Sequence, residues 1–170
     1  ALQRALLLRA AEVMADRLGD RERALALVDR ALASDATSPE ALRARYRLQE
    51  KASRYDEARR TLISLIGREP DDARRYALWL EVAVLDEQRQ KRPFDAVEAY
   101  RQAALIQPRS PLPQQEIVRL LRDAGDPAKL VDALMQLAAT ATSAPDYARF
   151  VAQAAEIHEL MLGDDASALK

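Results

Sequence analysis

The chain has 170 residues, 49% hydrophobic and 31% charged, with a formal net charge of -1. It lacks the basic excess of a polyanion or membrane-surface binder, and no apolar run approaches the ~20 residues that span a bilayer. Cysteine is absent, which excludes disulfides and thiolate metal sites and fits cytoplasm and periplasm equally. Arginine far outnumbers lysine and asparagine is missing, a codon bias expected of a high-GC bacterial genome.

In chain order, helices are predicted over 2–18, 21–34, 39–52, 55–68, 73–91, 94–106, 112–124, 127–141 and 146–162, with a stub from 165. In the second of these, Leu25, Val28, Ala31 and Leu32 mark one face at helical spacing. The segment from Arg74 to Leu85, RRYALWLEVAVL, is apolar nearly all round, so it is expected to be buried on several sides, Trp79 included. Gly19-Asp20, Gly125-Asp126 and Gly163-Asp164 read as hinges, the glycine ending one helix and the aspartate capping the next. Ser38-Pro39, Ser110-Pro111 and Asp126-Pro127 read as a cap followed by proline at the first helical position. Asp71-Asp72 and Asp164-Asp165 also stand at helix starts, where carboxylates satisfy free N–H groups and suit the dipole. No strand-like alternation bounded by turns occurs.

The chain repeats itself. Ala24, Ala58, Ala96, Leu130 and Ala168 are spaced by 34, 38, 34 and 38 residues, so two units make a 72-residue super-repeat. Twice 72 is 144, the distance between AAEVMADRLGD at Ala10 and AAEIHELMLGD at Ala154. In that phrase Ala10, Ala11 and Leu18 are expected to pack. The same shift of 72 pairs Leu62 with Leu134 and Leu65 with Leu137. The four surplus residues of alternate units are about one helical turn, which keeps an apolar face nearly in register. Small residues at Ala24, Ala31, Ala96 and Ala103 let helices approach closely.

Two stretches, RYDEARRTLISLIGREP (Arg54 to Pro70) and FDAVEAYRQAALIQP (Phe94 to Pro108), carry an aromatic residue and an alanine on a helical period, ending in proline. With the 34-residue helix-turn-helix period, they resemble the tetratricopeptide repeat. The chain departs from the family at Leu130, at Arg45, and in its longer alternate units. The resemblance implies an all-α solenoid of stacked antiparallel helix pairs, coiled into a right-handed superhelix of about four and a half repeats. As one segment over 1–170, its units run approximately 1–36, 37–70, 71–108, 109–142 and an incomplete 143–170. The last long helix is apolar at Phe150, Val151, Ile157, Leu160, Met161 and Leu162, where a terminal repeat is normally polar. A parent protein continuing beyond Lys170 is therefore expected.

Signatures of catalysis are missing: no glycine-rich phosphate loop, no serine elbow, and one histidine, His158, which aligns with Met14 in the repeat. No enzyme activity, cofactor or metal is expected, nor is a nucleic-acid partner or membrane insertion by this segment. The resemblance implies a concave face lined by the first helix of each pair. That face would present Arg43, Arg47 and Lys51, then Glu81, Leu85 and Arg89, then Gln115, Arg119 and Arg122. Arg43, Arg47 and Lys51 are four apart and form one helical stripe, suited to acidic side chains or a peptide carboxylate. The absence of asparagine removes the family's clamp for chaperone tails. The expected role is a protein–protein interaction scaffold for a protein or peptide partner. The alternatives are a structural segment of an envelope or exopolysaccharide-export machine, and a helical regulatory domain attached to an effector module.

Overall fold

A computed structural model describes residues 2–168, with side chains described through Met161. Its helices are α1 (Leu2–Arg17), α2 (Arg21–Ser34), α3 (Pro39–Lys51), α4 (Tyr55–Ile66), α5 (Asp72–Val84), α6 (Pro93–Ile106), α7 (Pro111–Ala124), α8 (Pro127–Ala138) and α9 (Ala144–Ala168). A π-helical turn, Leu85–Arg89, continues α5. No strand occurs among the described residues. The chain divides into two compact units, Ala1–Lys91 and Arg92–Lys170.

In each unit, helices adjacent in the chain pack against one another: α1 on α2, α2 on α3, α3 on α4 and α4 on α5, then α6 on α7, α7 on α8 and α8 on α9. Small side chains stand at the seams. Ala24, Ala31, Ala58, Ala96 and Ala103 are all 0% exposed, so backbones close up where a longer side chain would hold them apart. The super-repeat is visible in the core: Leu62 and its equivalent Leu134 are both 0% exposed, and Leu65 and Leu137 are both buried.

Helix starts follow the predicted caps. Asp20, Asp71 and Asp126 accept backbone N–H bonds from Arg23 (3.0 Å), Arg74 (2.8 Å) and Lys129 (3.1 Å). Each satisfies one of the donors that a helix N-terminus leaves free. Ser143 caps α9: its Oγ accepts from Asp146 N at 3.2 Å and donates to the Asp146 carboxylate at 2.7 Å. Gly19 (φ 69°) and Gly125 (φ 66°) take the left-handed conformation expected of hinges.

Several expectations are corrected. The helix predicted over 73–91 is regular only to Val84, then widens into the π-helical turn. Four added residues at 100° each overshoot a full turn by about 40°. A wider turn takes up that excess and keeps Leu85 (2% exposed) and Asp86 (0%) both inward. Asp86 is held there by Arg59, whose Nε lies 2.9 Å from both carboxylate oxygens. The α5 segment is buried chiefly at Leu78, Val82, Ala83 and Leu85; Val84 is 41% exposed and Trp79 only partly buried. In the echoed phrase Ala11 packs (2% exposed), whereas Ala10 is exposed and Leu18 is 68% exposed. A helix of a pair buries one stripe, and those two positions lie off it.

The hinge expected at Gly163 is absent: α9 runs through it to Ala168. Glycine permits a left-handed turn without imposing one. At Gly19 and Gly125 the following helix packs back on its predecessor. The side chains of Asp164 and Asp165 and the anchor Ala168 lie outside the described residues.

Candidate binding face of the first unit

The first helices of successive pairs in the first unit are α1, α3 and α5, and open clefts lie along them. One, of about 460 Å³, runs between α1 and α3. Its floor is Leu8, Ala11, Ala15, Val28, Ala44 and Leu48, and Arg47 and Lys51 stand at its rim. A second, of about 290 Å³, lies between α3 and α5 and is lined by Arg43, Tyr46, Arg47, Arg74, Leu78 and Glu81 among others. A third, of about 260 Å³, places Glu81, Leu85 and Arg89 opposite Tyr46 and Glu50.

The structure thus brings the predicted residues of the first unit onto adjoining clefts, with Arg47 bordering two of them. Their circumstances differ. Arg43 Nη2 lies 3.7 Å from Glu69, a carboxylate only 9% exposed that also meets Arg74 at 3.8 Å. Lys51 Nζ donates to Asp16 of α1 at 3.0 Å. Arg47 makes no hydrogen bond or ion pair with any described residue. Leu85 contributes cleft floor rather than exposed surface.

Burial raises the Glu81 carboxyl above its ordinary value of 4.5; Arg43 opposes that shift, Glu50 adds to it and Arg47 opposes it. Tyr46 is pushed up to about 12, mostly by burial and then by the negative fields of Glu50 and Glu81, with Arg89 opposing. Both groups are partly withdrawn from water and therefore favour their neutral forms.

On α7 of the second unit, Gln115 and Arg122 are exposed. Arg119 is engaged by Glu116 at 2.7 Å and Asp123 at 3.7 Å. His158 is exposed on α9 at the position equivalent to partly buried Met14 of α1. No helix among the described residues is long and apolar enough to cross a membrane.

The sequence reading passed over the α1 wall. Leu8, Ala11 and Ala15 recur at three- and four-residue intervals, the spacing of one helix face. That pattern was a usable signal, but apolar spacing alone does not say whether a face is covered. Tyr46 lines two clefts.

Residues 17–79 match the family model for the tetratricopeptide repeat. No curated protein matches the sequence significantly. Among solved structures, a crystal structure of MamA protein superposes with a TM-score of 0.57 at 11% identity, over 93% of this chain and 84% of that one. MamA 41-end from Desulfovibrio magneticus RS-1 gives 0.52 at 20% identity, over 81% and 75%. YrrB, titled a TPR protein with an unusual peptide-binding site, gives 0.50 at 14% identity, over 90% and 76%. At these identities the likeness is one of fold.

Proposed function

We propose that this tetratricopeptide-like repeat protein is a non-catalytic interaction scaffold that offers the α1–α3–α5 face to a protein or peptide partner. The observation that carries the reading is the set of open clefts along those helices, with the basic stripe of α3 running between them. Preformed concave surfaces with a few convergent polar groups are where ligands ordinarily bind. The similar fold of a protein titled as having a peptide-binding site supports a peptide or protein ligand. In this reading Gln115, Arg119 and Arg122 of α7 are partner-binding residues of the second unit.

The test is selection from a displayed peptide library on the intact chain. The wild type should enrich a recurring family of peptides. The double variant Arg43→Glu/Arg47→Glu, checked for folding by circular dichroism, should bind that family at least about tenfold more weakly, the scale of a lost charge-assisted contact. Equal binding by the folded double variant would remove this face from the site, and no enrichment by the wild type would defeat the scaffold reading.

A further inference from the structure

The outer face of α1 is apolar and uncovered. Leu2 and Leu6 are 76% and 62% exposed, Val13 is 41% exposed, and Ala10 is exposed between them. Spacings of four, four and three put these residues on one helical stripe. None of the four lines the α1/α3 cleft. Contiguous exposed apolar side chains mark interaction surfaces.

The repeat shows what covers such a stripe. A shift of 72 residues carries Leu6, Ala10 and Val13 to Leu78, Val82 and Leu85. Those are 7%, 0% and 2% exposed, on α5 and its π-helical turn, which pack against α4. A shift of 144 carries them to Phe150, Ala154 and Ile157 of α9, which packs against α8. Ala154 is 3% exposed and the other two are partly buried. At both equivalent places the preceding helix covers the stripe. The stripe on α1 therefore continues an interface that the chain builds twice.

The two covering helices define the chemistry of an occupant. α4 buries Ala58, Leu62 and Leu65, and α8 buries Leu130, Leu134 and Leu137, each set at i, i+4 and i+7. α4 has Asp56 and Glu57 in its first turn, and α8 is capped by Asp126. α4 runs antiparallel to α5, because Arg59, one turn into α4, holds Asp86 just past the end of α5. A helix seated on α1 in the same sense begins beside exposed Arg17, in the last turn of α1. A carboxylate there meets the cation and suits the dipole of its own helix. A second copy has no free helix of this kind. The equivalent positions of α2 (Ala24, Val28, Ala31) and of α6 (Ala96, Tyr100, Ala103) are buried, as are those of α4 and α8.

We infer that the outer face of α1 is a docking seat for an amphipathic helix of a different polypeptide. That helix runs antiparallel to α1, with apolar residues at i, i+4 and i+7 and a carboxylate at its N-terminus. The seat is separate from the clefts of the α1–α3–α5 face, and its occupancy does not depend on them.

The probe is a peptide of the α8 sequence, Asp126 to Ala141, fluorescently labelled at its C-terminus. A lactam joining Asp132 to Gln136→Lys, both exposed on α8, holds it helical, since an isolated helix of this length is marginal in water. Titrated with the whole chain by fluorescence anisotropy, it should bind the wild type. Leu6→Glu and Val13→Asp, at exposed positions and checked for folding by circular dichroism, should each weaken binding by at least about tenfold. Arg17→Glu should weaken it to a smaller degree. No binding by the wild type, or equal binding by the folded Leu6→Glu and Val13→Asp variants, would overturn the seat; a peptide taking the place of α8 on α9 gives the second result. Binding indifferent to Arg17→Glu would overturn the antiparallel, acidic-end assignment. Sedimentation showing a wild-type dimer that Leu6→Glu dissolves would overturn the occupant in favour of a second copy.

Discussion

Glu81 is a residue on which burial and charge pull in opposite directions. It lies beside Arg43 and Arg47, which favour the carboxylate, yet burial wins and the carboxyl is raised above 4.5. A raised carboxyl means that the folded state holds the proton more tightly than the unfolded chain. Its stabilising contribution is therefore complete below the unfolded value and is lost as pH rises through the folded one. Glu81→Gln, which cannot ionise, should match the wild type below about pH 4 and have the higher melting temperature at pH 7. Paired thermal melts from pH 3.5 to 8 check this, and a lower melting temperature for the variant at pH 7 would refute it. The α3 stripe was legible in the sequence because a spacing of four is set by helix geometry alone. Which member of the stripe forms no ion pair with a described residue was not. Glu69 reaches Arg43 from the loop after α4, and Asp16 reaches Lys51 from α1, and neither meeting follows from local spacing.

At the scale of the element, glycine separates what sequence suggests from what packing selects. Gly125 has φ 66° and ends α7, whereas Gly163 lies within α9 with open space around the position of a side chain. Gly125→Ala should destabilise by about 1–2 kcal/mol, since a Cβ disfavours the left-handed conformation. Gly163→Ala should strengthen α9 by up to about 1 kcal/mol through helix propensity. Urea unfolding of the first variant and amide exchange in α9 of the second measure these effects, and equal signs would contradict the assignment of the two glycines. The π-helical turn after α5 belongs to this scale too. The extra four residues of the unit were countable, and one added helical turn was the natural expectation. Its winding depended on holding Leu85 and Asp86 inward together, with Arg59 of α4 as the partner for Asp86.

At the scale of the whole molecule, packing within each unit is chiefly between helices adjacent in the chain. Local contacts require little loop closure before they form, and such topologies fold fast. The dominant refolding phase followed through Trp79 fluorescence should fall between microseconds and milliseconds; a dominant phase of seconds would speak against a locally organised fold. The helical class, the approximate positions of the helices through 146–162, and the seams at Ala24, Ala58 and Ala96 were legible in the sequence. Those features follow from period, capping chemistry and side-chain size, all of which act over a few residues. The open α1/α3 cleft, the lack of an ion pair at Arg47 among the described residues, the burial of Asp86 and the exposure of Leu18 were settled by packing between helices. Each depends on which side chains meet from different helices, and an amphipathic pattern specifies a face without specifying what covers it.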